Sequence, residues 1–174
     1  MRFELRDFVA DDAPAVNRVA LAAFSQYRDR YEDWESFSRL IGAMDMLAVS
    51  TELIVATLGG EVVGAVAYVA PEKPKATFFE PDWAVLRILV VEPSLRGQGI
   101  GRALTDACVS RAVRDGATTM ALHTSPIMEV ALAMYLRMGF KFLRAVPPIH
   151  GVSYGVYVKP LFQTASDASD GGRS

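Results

Sequence analysis

The chain has 174 residues, suited to one domain of ordinary size, and a net charge of −2 from 18 Lys and Arg against 20 Asp and Glu. That balance argues against a nucleic-acid partner, whose phosphates require a basic patch. The single cysteine, Cys108, excludes an internal disulfide and a cysteine-based zinc cluster, and two histidines, His123 and His150, leave too little for a metal site, so no metal is expected.

The opening residues, MRFELRDFV, hold no long apolar run, and no stretch approaches the ~18–20 apolar residues that span a bilayer. No signal peptide, no membrane association and a cytoplasmic location are therefore expected. Phe3 to Phe8 alternates apolar and polar, as a half-buried strand does. Asp11-Asp12-Ala13-Pro14 reads as a helix start, followed at helical spacing by Val16, Val19, Ala20, Ala23 and Phe24. A weaker helix is expected from about Trp34 to Leu47. Between them SQYRDRYEDWESF mixes aromatic and charged residues, which suits a surface near a binding site.

Glu52–Leu58 and Glu61–Val69 are β-rich runs joined by Gly59-Gly60, a hairpin signal. After the proline-punctuated loop PEKPKATFFEPDW, Ala84–Val91 is apolar except for Arg87 and reads as a buried strand. Arg102 to Asp115 has a helical stripe of Ala103, Leu104, Ala107, Cys108, Ala112 and Val113, ended by Gly116. Thr118–Thr124 is a strand, Ile127–Met138 a helix stopped by Gly139, and Phe140–Ala145 and Val152–Val158 are strands around a VPPIHG loop. One domain over residues 1–161 is expected: a mixed sheet with helices on both faces. Residues 162–174 are expected to form a mobile polar tail.

The stretch between the Ala84 strand and the next helix carries the chemistry: Arg96-Gly97-Gln98-Gly99-Ile100-Gly101-Arg102. Glycines before a helix let the backbone approach a ligand closely, and the first helical N–H groups lack partners within the helix. With the positive end of the helix dipole and Arg96, such a turn suits a pyrophosphate. A dinucleotide fingerprint fails, because its third glycine place holds Arg102 or Leu104, and no Gly-Lys-Ser/Thr is present for a Walker loop.

LVVEPSLRGQGIGRAL resembles the acetyl-CoA-binding signature of the GNAT superfamily of N-acetyltransferases, Arg/Gln-x-x-Gly-x-Gly/Ala, filled by Arg96, Gly99 and Gly101. ALAMYLRMGF, Ala131 to Phe140, resembles that family's Ala-x-x-Leu-Tyr-x-x-x-Gly-Phe signature. The resemblance implies an α/β (α+β) fold with a mixed, mostly antiparallel sheet of about seven strands. It also implies acetyl-CoA as co-substrate, in a cleft where the parallel strands Ala84–Val91 and Thr118–Thr124 splay apart. Main-chain groups of Leu89, Val90 and Val91 would pair with the pantetheine arm, the Val90 N–H would polarise the thioester carbonyl, and the amides from Arg96 to Arg102 would hold the pyrophosphate.

Tyr135 stands at the family's tyrosine place, as proton donor to the departing thiolate; periodicity alone makes it a core aromatic. Two departures from the family pattern stand out. Met128 occupies a place where some members carry Asn, and the Ala84 strand lacks the glutamate that some members use as general base. His123, on the other splayed strand, is a candidate base or a histidine packed at the core; Glu80 and Asp82 are rival bases. Aromatic and acidic residues of the acceptor regions, with Tyr27, Tyr31 and Trp83 foremost, suit a cationic, partly apolar amine, either a small molecule or a peptide. They suit a solvated face equally well. The implied activity is acetyl transfer to a primary amine by direct attack. The alternatives are an acyl-CoA sensor without turnover and transfer of a longer acyl group, such as succinyl. The apolar ATFFEPDW loop suits either a homodimer contact or a substrate pocket.

Overall fold

The computed structural model describes residues 2–162, so the tail expected beyond Phe162 lies outside the described residues. Strand β1 (Glu4–Asp7) is followed by helix α1 (Ala13–Phe24), entered through a 3-10 turn at Ala10–Asp12. Pro14 lies in the first turn of α1, where its missing N–H costs nothing. A 3-10 segment, Ser25–Arg30, continues α1 towards helix α2 (Trp34–Ile41), which is capped by the Asp33 carboxylate accepting from the Ser36 N–H. The second helix is thus shorter than its apolar pattern predicts. It stops at Gly42, and Met44–Val49 is a separate 3-10 segment.

Strands β2 (Glu52–Leu58) and β3 (Glu61–Val69) form the expected hairpin, with both Gly59 and Gly60 at positive φ. β4 (Ala84–Val91), α3 (Ile100–Arg114), β5 (Thr119–Thr124) and α4 (Glu129–Arg137) follow. The last hairpin is β6 (Lys141–Ile149) and β7 (Val152–Pro160), joined by His150-Gly151. Most of the segment expected to be the VPPIHG loop is therefore strand. Pro147 and Pro148 are tolerated because β6 is an edge strand, with one side free of ladder bonds, and the register slips between Val146 and Ile149.

The sheet order is β1-β2-β3-β4-β5-β7-β6, and every neighbouring pair is antiparallel except β4 with β5. This is the mixed, mostly antiparallel seven-stranded sheet expected above. Helices α1 and α2 cover one face, where Val16, Val19, Ala20 and Phe37 pack on Val55, Ala65 and Ala67. Helices α3 and α4 cover the other, where Leu104, Cys108 and Tyr135 pack on Val66, Leu86 and Leu122. Burial of these two apolar faces is the main force holding the layers together. Tyr68, fully buried on β3, donates from its hydroxyl to Asp115 just after α3 (2.7 Å) and ties the helix end to the sheet.

Candidate acyl-carrier cleft and reacting centre

The central opening arises from two irregularities in β4. The β4–β5 ladder holds only Ala84↔Met120 and Val85↔Ala121, after which the parallel strands part. On the other side, the β3–β4 register shifts between Ala65↔Val90 and Ala67↔Arg87, so Ile88 and Leu89 oppose the single residue Val66. That is a β-bulge, and Ile88 adopts φ +50 within it. A β-branched residue rarely takes this conformation, and strain of order 1–3 kcal/mol is typical for it. The bend steers β4 away from β5 and leaves the backbone of Ile88–Val91 without a strand partner on the β5 side.

The phosphate-binding turn predicted from sequence closes one end of this opening. Gly97 (φ +77) and Gly99 (φ +86) are left-handed, and Gly99 is the N-cap of α3. The first helical donor is the Ala103 N–H, bonded to the Gly99 carbonyl. Among the described residues, the N–H groups of Gly97, Gln98 and Gly99 donate to no backbone carbonyl, and those of Ile100, Gly101 and Arg102 form the open first turn of the helix. Six successive donors at a helix N-terminus are thus left without a partner among the described residues, a donor set that fits phosphate oxygens.

A cleft of about 380 Å³ runs from this turn between α1 and α4, with Arg96, Gly97, Gly99, Gly101 and Arg102 at the polar end. Leu89, Val91, Ile100, Ala131 and Met134 line its apolar length, which suits an alkyl arm. Val90 turns the other way, 1% exposed in the α1-side core, and Gln98 lies exposed outside the cleft lining. The Arg96 side chain donates to the carbonyl of Ala23 at the C-terminal end of α1 (3.2 Å), bracing the turn against that helix. Phe24 at the end of α1, Gln26 beyond it, and Val130 and Arg137 on α4 also line the cleft. The sequence assigned none of these four to the site. Val130, Met134 and Arg137 fall at i, i+4 and i+7, a helical-face spacing that was available as a signal.

The predicted reacting residues lie on opposite faces of the sheet. Tyr135 is 4% exposed on α4, edge-on to Phe140, and its hydroxyl makes no hydrogen bond among the described residues. Burial pushes its pKa above the ordinary tyrosine value, so the phenol keeps its proton. His123 lies on the α1 face, with ring centroids 5.4 Å from Phe78 and 5.2 Å from Tyr154. Its Nδ1 is enclosed and has no hydrogen-bond partner among the described residues. Burial first, and then the nearby Arg87 charge, hold the imidazole down to about 4.

Of the three foremost acceptor residues, Tyr31 and Trp83 are not part of the lining of this cleft. Tyr27 lines the cleft itself. Tyr31 is 5% exposed, stacked on Phe37 at 3.9 Å, and its hydroxyl hydrogen-bonds that of Tyr154. Trp83 is half-buried, with the Arg144 guanidinium 5.8 Å above its ring. Cys108 is fully buried, its thiol pushed up to about 12 by burial, which leaves it inert as a nucleophile. Among the described residues, no helix is long and apolar enough to cross a membrane.

Comparison with known proteins accords with this geometry. The model of the Acetyltransferase (GNAT) family matches residues 13–140. The chain is similar to N-acetyltransferase 8F1 of Rattus norvegicus, 36% identical over 87 residues, which are 50% of this chain and 38% of that protein. It is 37% identical to N-acetyltransferase 8B of Mus musculus over 87 residues, 50% of this chain and 36% of the relative. The match thus spans little more than a third of the length of these curated relatives. Among solved structures, the PaiA N-acetyltransferase from Thermoplasma acidophilum in complex with coenzyme A aligns with a TM-score of 0.76 at 19% identity, covering 92% of this chain and 100% of that one. PH1933 from Pyrococcus horikoshii OT3 aligns with a TM-score of 0.74 at 14% identity, covering 93% and 100%. At such identities the two structures speak to the fold alone.

Proposed function

The chain belongs to the acetyltransferase (GNAT) family, and from that premise we propose that it transfers an acetyl group from acetyl-CoA to a primary amine by direct attack in a ternary complex. The family uses acetyl-CoA, which supplies an activated thioester. The observation that carries the proposal is the row of six free N–H groups from Gly97 to Arg102 at the head of an apolar cleft. Those amides hold the pyrophosphate, with Arg102 and Arg137 adding positive charge at the rim. Leu89 and Val91 give the pantetheine arm an apolar wall, while the unpartnered β4 backbone pairs with its amides. A main-chain N–H on the β5 side of the Ile88–Val91 stretch polarises the thioester carbonyl as charge develops on its oxygen, in place of the Val90 N–H, because Val90 pairs with Ala65 of β3.

Tyr135 acts as a hydrogen-bond donor towards the leaving sulfur. Because burial raises its pKa, full proton transfer to a thiolate with an ordinary pKa of ~8.5 is uphill in the unliganded site, and the O–H serves by solvating the developing charge. His123 is neutral at pH 7 and free to accept. With its pKa near 4, taking a proton from a free ammonium of pKa ~10 would cost about 8 kcal/mol. Its role is therefore to receive the amine proton only after bonding to the acyl carbon has made that proton acidic, directly or through water. Catalysis through Cys108 is not part of the scheme, because the thiol is buried and protonated.

The test is a CoA-thiol release assay over a panel of amines, paired with calorimetric titration of acetyl-CoA. Binding with release on at least one primary amine is expected; no binding at millimolar acetyl-CoA refutes the proposal. A second reading, an acyl-CoA sensor, is favoured by Met128, 8% exposed where some relatives place Asn, and by the weak base. It predicts binding without release on every amine.

A further inference from the structure

Arg87 is the only charge in β4, AVLRILVV. It is partly buried, yet among the described residues its guanidinium makes no hydrogen bond and no ion pair. Arg111, also partly buried, has both Asp7 and Glu52 as partners. A guanidinium drawn from water without a counter-charge is costly, and desolvation is what acts on Arg87.

Its position gives that cost a use. Val85↔Ala121 is the last rung of the β4–β5 ladder, and both side chains face the core patch that includes Val156. Two residues further along each parallel strand, on that same face, stand Arg87 and His123. They therefore flank the mouth of the splay, close enough for the Arg87 charge to disfavour protonation of the imidazole. The surroundings are aromatic: Phe78 and Tyr154 stand against His123, and Trp83 lies nearby beneath Arg144. Arg144 donates to the Phe78 carbonyl (2.6 Å), so a second cation borders this half. Among the described residues, no carboxylate forms a hydrogen bond or ion pair with Arg87 or His123. Asp82, a rival base by sequence, acts on Lys75 instead, and the Glu32 carboxyl lies beside Gly151.

We propose that Arg87 is the carboxylate anchor of the acceptor half, so that the acceptor is an amino acid with an apolar or aromatic side chain rather than a simple cationic amine. The proposal rests on the acetyltransferase reading and deepens it. The guanidinium fork takes the carboxylate in two charge-assisted hydrogen bonds, which leaves the amine free beside His123 and the side chain against the aromatic wall. The bound anion also balances the charge that disfavours a proton on His123, so carboxylate binding strengthens the base that the reaction uses.

The probes are N-acetyl-L-phenylalanine and its amide, titrated calorimetrically into CoA-loaded wild type, Arg87→Lys and Arg87→Met. Wild type should bind the acid about tenfold or more tightly than the amide. Arg87→Lys should keep part of that ratio, and Arg87→Met should erase it while binding acetyl-CoA as wild type does. Removing an unpaired, partly buried charge should leave the ligand-free melting temperature of Arg87→Met unchanged or higher, which separates lost anchoring from misfolding. Equal binding of acid and amide by wild type, or a ratio that survives in Arg87→Met, overturns the assignment. So does an Arg87-dependent preference for succinyl-CoA over acetyl-CoA, which would place the carboxylate on the donor. An Arg87-dependent ratio without acetylation of any amine would sink the transferase reading and leave the anchor standing.

Discussion

Gly97, Gly99 and Gly101 stand at alternate positions and do different things. Gly97 and Gly99 are needed for their left-handed backbone, although a Cβ on either would meet nothing within 4 Å. Gly101 has helical φ, and a Cβ there would meet Val91, Leu89 and Met134 at 3.7–3.9 Å, ordinary contact. Gly99→Ala should therefore cost about 1–2 kcal/mol and weaken acetyl-CoA binding, whereas Gly101→Ala should be nearly neutral in both. Thermal melts with calorimetry on the two variants check this; equal penalties would contradict it. Tyr135→Phe should lower kcat at saturating substrate without changing acetyl-CoA affinity or melting temperature, because the hydroxyl has no protein partner to lose. An unchanged kcat would remove the tyrosine from the chemistry. The glycine turn was legible in the sequence because spacing and chain position together imply it. The division of labour among the three was not, since φ and free space are properties of the folded backbone.

At the scale of elements, periodicity located the strands and helices to within a few residues, except for the C-terminal end of α2, because apolar spacing follows from which face is buried. It missed three features for physical reasons. The bulge at Ile88 is invisible in a run where every residue but Arg87 is apolar, so an extra residue changes no pattern. The strand character of Val146–Ile149 was masked by two prolines that only an edge position tolerates. The isolated charge of Arg87 breaks an otherwise apolar run, but its relation to His123 depends on register. One contact fixes α3 over the bulge: a Cβ on Gly64 of β3 would meet Ile100 and Leu104 of α3 and the Val90 carbonyl, each at 3.1 Å. Gly64→Val should force α3 off the sheet, cost about 1–3 kcal/mol, and weaken acetyl-CoA binding by displacing the amides at the helix start. Unaltered affinity in a destabilised variant would show that the cleft does not depend on this close approach.

For the whole molecule, one partly buried histidine, its Nδ1 enclosed, makes stability respond to mild acid. The unfolded His123 titrates near 6.5 and the folded one near 4. Between those values the unfolded chain holds the proton and the folded one does not, so stability falls as pH drops through that window. The loss from this group is about 2 kcal/mol between pH 7 and pH 5, and roughly 3 in full. Asp12, bound by Arg6, and Asp115, bound by Arg114, have lowered pKa values. Their stabilisation is present above the ordinary carboxylate pKa and is lost only as pH falls below it, through their lowered folded values. Urea unfolding of wild type and His123→Gln should diverge between pH 7 and pH 5 and run parallel below pH 4; identical profiles would contradict the buried neutral imidazole. The same variant should lose any acid limb of kcat/KM that His123 sets.

The function itself turns on one cleft between two apolar layers, opened by a bulge and headed by free amides. The most direct measurement is thiol release from acetyl-CoA by the purified chain with an amino acid panel, alongside acetyl-CoA titration. N-acetyl transfer predicts saturable acetyl-CoA binding and CoA release that requires both amine and protein. Absence of binding at millimolar acetyl-CoA, or release that does not depend on the amine, would contradict it.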